Sequence, residues 1–393
     1  MKKIRFERLY YILLVLYIFN QVFSESHFVD FWGMALVLTF VRYLVLVILV
    51  IIIISKNIKI KKQIAIISIL MLTFIISNMV FAGGGISYIP IFLFAIASKN
   101  FSLDKIFKYT VYSIIYSHLM VILATKVGIL QDTVDFRYVG KFAGSVLSGA
   151  YYRHDMGFLV HNQIALAYMI VYLYIIAYKR ENIKIYENVL LMILNYIIFC
   201  LFGSRIVFLL TMLVCILFYV LKAFWKKSSR IKYFWTMSYI VCACVSLTFT
   251  LAYKSENQWW KIVDMIFNNR ISQANEAIKY FGVGILGAGK NAGLYSSISS
   301  NAFTIDNGYI CIMISEGVGI LLILIGIWTY LIYLAEKHNN KYMVLVLVIL
   351  ALENIINTHL GSFKLIPFFC ILLNENDEFL CDKFNGNFRL RNQ

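Results

Sequence analysis

Three arginines lie close to glycine, serine or asparagine on one predicted side of a membrane: Arg153 and Arg205 near the ends of apolar segments, and Arg270 in a long connection. A guanidinium group stays charged at physiological pH and can hold a phosphate through two parallel hydrogen bonds. One arginine at a membrane boundary more often reaches lipid headgroups or pairs with a carboxylate. Three on the same predicted side of a membrane instead favour a common anionic ligand. The pattern predicts a site for a lipid that carries a diphosphate.

Chemistry at such a lipid also needs a group that accepts a proton, and three residues qualify. Asp306 precedes an apolar segment, whereas His161 and His359 lie at membrane boundaries. If the stretch from Arg153 to Phe158 is helical, the spacing of four places Arg153, Gly157 and His161 on one face. We assign the proton acceptor to Asp306 or His161, and keep His359 in reserve.

Small and amide-bearing neighbours complete the predicted binding site: Gly157, Asn162, Ser204 and Asn307. We find no cluster of ligands with a convincing metal spacing, so the sequence predicts neither a metal nor a cofactor. The run from Gly282 to Lys290 matches two nucleotide-binding patterns, but it lacks the preceding strand and the following Ser or Thr. We interpret it as a turn at the membrane surface.

The elements that position these residues are apolar helices. The chain has 393 residues, of which 61% are hydrophobic and 14% charged, far from the composition of a soluble enzyme. Apolar runs recur along the whole chain, so we predict an all-α polytopic membrane protein whose residues 1–393 form a single integral membrane domain. We place about twelve spans at 9–23, 33–54, 64–82, 86–97, 109–125, 158–178, 189–202, 206–224, 233–253, 309–334, 342–356 and 360–373. The fourth, seventh and twelfth are short and open to a re-entrant interpretation.

Lys and Arg collect in alternate connections, which indicates that both termini are cytoplasmic. The net charge of +16 is then a topology signal, and we predict the lipid bilayer, rather than nucleic acid, as a partner. Two outer connections are long, 126–157 and 254–307. Apolar residues at helical spacing in the second, from Trp259 to Phe281, predict an amphipathic helix. That helix could bound a lipid cavity or pack on the bundle as a lid.

The order and sidedness of the motifs resemble Wzy-type polysaccharide repeat-unit polymerases, which belong with the O-antigen ligases among GT-C-like membrane glycosyltransferases. The motifs that carry the resemblance cover about residues 150–320: Arg153-x-x-x-Gly157-Phe158, His161-Asn162, Gly203-Ser204-Arg205, Asp306-Asn307-Gly308-Tyr309 and Glu316-Gly317-Val318-Gly319. The ligase branch has a histidine where Asp306 stands, with the same spacing to Gly317, so the substitution favours a polymerase. Eleven residues are about three helical turns, which predicts Asp306 and Gly317 on one face of the tenth helix.

The resemblance implies a GT-C-like bundle with its active site on the outer face of the bacterial plasma membrane. The implied activity is metal-independent transfer of glycan from an undecaprenyl-diphosphate carrier onto a lipid-linked repeat unit, giving a capsular or cell-surface polysaccharide. In this interpretation Arg153, Arg205 and Arg270 bind the diphosphate. The resemblance leaves open whether a chain-length regulator and a flippase are further partners.

Three other functions remain open. A ligase would move finished glycan to another acceptor, and a lipid-linked oligosaccharide flippase would be expected to show an internal repeat, which we do not find. A small-solute transporter would use Arg42, Glu316 and Glu353 as an ion-coupling path. Single repeat units accumulating on the outer leaflet of cells without the protein would indicate a polymerase, and units trapped on the inner leaflet a flippase.

Overall fold

A computed structural model of the chain describes residues 2–56, 62–81, 88–139, 149–224, 233–267, 269–288, 305–374 and 378–380. Within these ranges the protein is predominantly helical. The helices are α1 (Lys2–Ser24), α2 (Met34–Ser55), α3 (Lys62–Phe81), α4 (Ile89–Ala97), α5 (Leu103–Lys126), α6 (Gln163–Lys179), α7 (Ile185–Phe202), α8 (Arg205–Phe224), α9 (Ser238–Ala252), α10 (Gln258–Ile266), α11 (Arg270–Phe281), α12 (Gly308–Ser315), α13 (Val318–Lys337), α14 (Lys341–Glu353) and α15 (Ile366–Ile371). Short 3₁₀ turns occur at His27–Asp30, Arg180–Asn182, Trp235–Met237, Phe363–Leu365 and Glu378–Leu380.

Seven helical segments of the described chain are long and apolar enough to cross a membrane, as a helical membrane protein requires. They are Phe6–Ser24, Met34–Ser55, Leu103–Lys126, Ile185–Phe202, Arg205–Ala223, Trp235–Ala252 and Val318–Lys337. Their outward faces carry large apolar side chains, and in α2 Leu36 and Ile54 are more than 70% exposed. Such faces suit a lipid solvent and would be unfavourable in water.

The chain forms two compact units. The first combines Met1–Lys56, Ala97–Lys227 and Asn376–Gln393, and the second combines Asn57–Ile96 with Ser228–Glu375. In the first unit α1 packs on α2 and α5, and α6 packs on α5, α7 and α8. Helix α6 is buried on all sides, as expected of a helix that is apolar around its whole circumference.

Helix α14 has the corresponding place in the second unit, where nearly all of its side chains are buried. It packs on α13 and α9, and α13 also contacts α3 and α12. Helices α4 and α15 are much shorter than the spans expected at 86–97 and 360–373. Nine and six residues respectively are too few to cross a hydrocarbon core of about 30 Å at 1.5 Å per residue.

The stretch around Arg153 is a strand, so the prediction of a shared helical face with Gly157 and His161 is wrong. Strands β1 (Val134–Val139) and β2 (Gly149–His154) pair antiparallel, with Asp135 opposite Arg153. The sequence of β1 alternates apolar and polar residues, which is the period of a strand. Gly157 then takes a left-handed conformation, with φ of +87°, in the turn that leads to α6.

The predicted tenth span is broken, so the single helical face shared by Asp306 and Gly317 is also wrong. Helix α12 ends at Ser315, and Gly317 has φ of +99° before α13 begins. The glycine-rich run after α11 fills the break: the Val318 amide donates to the Gly284 carbonyl at 3.0 Å, and the Ala288 amide to the Ile314 carbonyl at 2.6 Å. The described part of this run therefore completes a discontinuous helix, while its last two residues, Gly289 and Lys290, lie outside the described residues.

The amphipathic helix expected between Trp259 and Phe281 is two helices, α10 and α11. The buried Asp264 in α10 explains the division, because its Oδ1 accepts the backbone amides of Ile271 and Ser272 at 2.9 and 3.0 Å. A carboxylate that binds these amides satisfies groups that have no partner inside the helix.

Candidate functional site

The turn between α7 and α8 brings two of the predicted arginines to one place. Arg153 Nε donates to the carbonyl oxygen of Phe202 at 3.1 Å, which places a positive charge at the C-terminus of α7. Gly203 ends α7 in a left-handed conformation, and Arg205 is the first residue of α8. Within the part of the chain that the structure describes, the Arg205 guanidinium has no hydrogen-bond or ion-pair partner.

Ser204 and Asn162 have backbone roles at helix starts. The Ser204 carbonyl accepts the Phe208 amide at 3.0 Å, and the Asn162 carbonyl accepts the Leu166 amide at 3.0 Å. Both side chains are partly exposed, and the Asn162 side chain does not cap its own helix. The two residues thus mark the N-termini of α8 and α6, where unpaired amides and the helix dipole favour negative charge.

His161 precedes α6 and lies within electrostatic range of Arg153, although the two are not on a common helix. Its Nε2 is buried and has no hydrogen-bond partner among the described residues. Burial lowers the pKa of His161 below its ordinary value, and the positive charge of Arg153 lowers it further. The neutral imidazole is therefore favoured, as a proton acceptor requires.

Gly157 and the preceding Asp155 hold the adjoining loops together. A Cβ on Gly157 would lie 2.2 Å from Thr125 Oγ1, so the position is occupied by α5 and leaves no space for a ligand at the Cα. The Gly157 carbonyl accepts the His27 amide at 2.9 Å. The Asp155 carboxylate accepts the amides of Thr133 and Gly157, both at 3.0 Å, and contacts His27 Nε2 at 3.4 Å.

A second carboxylate strengthens this tie. Asp132 Oδ2 lies 2.9 Å from His154 Nδ1, and its Oδ1 accepts the Met156 amide at 3.0 Å. Burial alone would raise the pKa of Asp132, but the contacts with His154 and Met156 outweigh it and hold the pKa below its usual value. These residues position the hairpin that carries Arg153.

In the second unit Arg270 and Asp306 form an ion pair, with Nη2 and Oδ2 3.2 Å apart. Arg270 is the first residue of α11 and is largely buried, whereas the Asp306 side chain is 41% exposed. Arg270 Nη1 also donates to the Ile356 carbonyl. The contact joins the start of α11, the approach to α12 and the segment that follows α14.

Asn307 and the residue after it anchor the same place. The Asn307 side-chain oxygen caps α12 by accepting the Ile310 amide at 3.2 Å, and the side chain also bonds to Ser246. The Gly308 amide donates to the Asn354 carbonyl at 2.9 Å, and a Cβ on Gly308 would lie 2.6 Å from the Asn357 carbonyl oxygen. The motif after Asp306 is therefore packed tightly against the end of α14.

His359 lies in the segment after α14, and its backbone amide donates to Asn354 Oδ1 at 3.1 Å. Its Nε2 is 3.7 Å from a carboxylate oxygen of Glu353, which is fully buried. Neither carboxylate oxygen of Glu353 has a hydrogen-bond partner among the described residues. Glu353 and His359 thus form a buried pair of titratable groups next to the Arg270 ion pair.

The structure gathers the predicted residues into two groups, one in each unit. The first contains Arg153, Gly157, His161, Asn162, Ser204 and Arg205, and the second contains Arg270, Asp306, Asn307 and His359. The sequence interpretation missed the residues that support them, namely Asp132, Asp155, Ser246, Asn354 and Asn357. Among the described residues no group of three or more His, Cys, Asp or Glu side chains is placed to hold a metal ion.

No protein-family model, curated protein sequence or solved structure matches the chain.

Proposed function

We propose that this chain is a membrane glycosyltransferase that joins undecaprenyl-diphosphate-linked oligosaccharide repeat units into a capsular or cell-surface polysaccharide. The observation that carries the proposal is the α7–α8 turn, where the Arg205 guanidinium has no partner among the described residues and Arg153 donates to the Phe202 carbonyl. Among the described residues the Arg205 charge has no partner at the end of an apolar helical hairpin, which is costly unless a ligand supplies an anion. A lipid diphosphate supplies that partner at the membrane boundary.

The same turn suits the leaving group of the reaction. When the bond between the sugar C1 and the diphosphate oxygen breaks, its electron pair goes to the diphosphate, which gains negative charge. Fixed guanidinium groups and the N-terminal amides of α8 would stabilise that charge. The turn lies at the predicted membrane boundary, so a diphosphate bound there leaves the lipid tail in the bilayer.

The acceptor sugar hydroxyl forms the new bond to C1 and must lose its proton. His161 favours its neutral form and has a buried Nε2 without a hydrogen-bond partner among the described residues, and Asp306 presents a partly exposed carboxylate beside Arg270. We assign the proton to one of these two groups, with His359 in reserve. Neutral imidazole and carboxylate are both competent bases at neutral pH.

The proposal includes about twelve spans with both termini cytoplasmic and a GT-C-like arrangement in the bacterial plasma membrane. The charged connections support this topology, because loops rich in Lys and Arg alternate along the chain with loops that have few or none. Single cysteines introduced near Lys337 and near Trp32 should then react with a membrane-impermeant maleimide on opposite sides. Labelling of both from outside intact cells would contradict the topology.

A transporter is the second candidate, because the helix break at Gly317 is a feature of transporter cores. Glu316 lies at that break and has an Oε2 without a hydrogen-bond partner among the described residues. However, Glu353 contacts His359 and Arg42 donates to Ser24 Oγ at 3.1 Å, so each of these two already has a neighbour of its own. Solute uptake abolished by Glu316→Gln with normal glycan synthesis would favour transport.

Cells that lack the protein test the proposal. We expect single repeat units on undecaprenyl diphosphate to accumulate on the outer leaflet, and wild-type protein to restore long polymer. Asp306→Asn and His161→Gln should identify the base, because only loss of the true base should abolish polymer at normal protein levels. Units trapped on the inner leaflet would indicate a flippase, and one transfer without a ladder of lengths would indicate a ligase.

A further inference from the structure

A groove of about 540 Å³ runs along the surface of the α7–α8 hairpin. Its walls include Met192 and Tyr196 from α7 and Phe208, Met212 and Tyr219 from α8. Within each helix these residues are three, four or seven positions apart or their sums, so they form one continuous stripe. The groove belongs entirely to the first unit.

The polar groups of the groove offer little to a ligand: Tyr219 Oη is buried, with no hydrogen-bond partner among the described residues, and the Asn188 side chain is already bonded. Asn188, which is buried, accepts a hydrogen bond from Tyr172 Oη at 2.7 Å and donates to Cys215 Sγ at 3.3 Å. What remains available to an occupant is aromatic and thioether surface. A groove of this kind favours an apolar chain, since most of its lining side chains are apolar.

The groove leads away from the arginines. Phe208 is three residues after Arg205, about 4.5 Å along the helix axis, and Tyr219 is a further eleven residues, about 16 Å, along the same axis. The rings of Tyr196 and Phe208, with centroids 6.4 Å apart, flank the end nearest Arg205. An elongated apolar chain whose anionic head lies at Arg153 and Arg205 would therefore follow the groove.

We infer that this groove binds the part of the polyprenyl tail nearest the diphosphate. The inference rests on the proposed function and adds a tail site to it. Two guanidinium groups at the head of the groove match the two phosphates of a diphosphate better than the single phosphate charge of a common phospholipid. The flexible Met192 and Met212 side chains adapt to the methyl branches of an isoprenoid.

A pair of neighbouring substitutions tests the tail site. Met212 lines the groove and Leu213 does not, yet their exposed fractions are 36% and 38%. One residue is about 100° around a helix, so Met212→Trp should fill the groove and Leu213→Trp should add the same bulk outside it. We expect Met212→Trp to weaken the binding of undecaprenyl diphosphate to the purified protein at least tenfold, and Leu213→Trp to leave it unchanged.

Inorganic diphosphate separates the head site from the tail site. Its binding should be the same in Met212→Trp and in wild type, because it has no tail. Equal binding of undecaprenyl diphosphate to the two tryptophan variants would overturn the inference and leave ordinary bilayer lipid as the occupant. Because binding is measured without turnover, an absence of polymerisation would count against the proposed function and not against the groove.

Cysteine chemistry provides a second measurement that does not need a bulky side chain. Cys215 lines the groove, and Cys244 is exposed on α9, which contributes no residue to the groove. In variants that keep only one of these cysteines, undecaprenyl diphosphate should slow the alkylation of Cys215 by an apolar maleimide at least threefold and leave Cys244 unaffected. Equal protection of Cys215 by phosphatidylglycerol would overturn the inference.

Discussion

Arg205→Ala should weaken diphosphate binding while leaving the fold nearly unchanged. The guanidinium has no partner within the described chain, so its removal breaks no contact there, and the free energy of unfolding should change by about 0.5 kcal/mol or less. A hydrogen bond to a charged group contributes about 1.5–3 kcal/mol. Loss of that contact corresponds to about tenfold to 150-fold weaker binding.

The assay is equilibrium binding of undecaprenyl diphosphate to purified protein in detergent, with thermal unfolding measured in parallel. Arg205→Lys should recover part of the affinity, because it keeps the charge and loses the two-pronged geometry. Arg42→Ala is the matched control, since Arg42 lies in α2 and donates to Ser24. Wild-type affinity in Arg205→Ala, or an equal loss in Arg42→Ala, would refute the assignment of Arg205 to the diphosphate.

Three further predictions concern the break in the helix and two histidines. Gly317→Ala should lower the free energy of unfolding by at least about 2 kcal/mol, because φ is +99° and a Cβ would clash with the Ile285 backbone oxygen. Gly326 has open space around its Cα, so Gly326→Ala should be neutral or stabilising in the same denaturation series. Burial and the positive charge of Arg153 lower the pKa of His161, so if His161 is the base, the acid limb of the pH profile of turnover should lie below pH 6.5. In the residual activity of Arg153→Ala this limb should move to higher pH. An unmoved limb would exclude His161. Burial lowers the pKa of His27, but contacts with two aspartates outweigh burial and raise it. The contribution of His27 to the free energy of unfolding, about 1 kcal/mol or less, is therefore present below pH 6.5 and lost as pH rises through the raised pKa. His27→Gln should remove this pH dependence from unfolding profiles, and an unchanged profile would contradict the prediction.

The apolar spans could be predicted because a membrane helix is encoded locally, in its own run of side chains. Strand β1 has a local signal too, since Val134, Phe136 and Tyr138 alternate with polar residues, but a run of six residues did not stand out between two spans. The break before α13 has no local signal of the same quality. It depends on backbone hydrogen bonds that the amides of Val318 and Gly319 donate to the carbonyls of Gly284 and Ile285, more than thirty residues earlier.

The candidate site likewise has features that the sequence predicts and contacts that it does not. The types of Arg270 and Asp306 indicated a role, but their contact depends on α11 beginning where Asp264 caps it. The run of Glu353, Asn354 and later polar residues at the end of an apolar helix was visible in the sequence. The hydrogen bond from the Gly308 amide to the Asn354 carbonyl could not be predicted, because it depends on where the start of α12 meets the end of α14.

Purified wild-type protein, reconstituted in vesicles with undecaprenyl-diphosphate-linked repeat units and no other protein, tests the central claim most directly. Glycan transfer at the site of Arg153 and Arg205 predicts a ladder of products that differ by one repeat unit, with one undecaprenyl diphosphate released for each bond formed. Folded protein that binds the lipid diphosphate but yields neither ladder nor released carrier would contradict it.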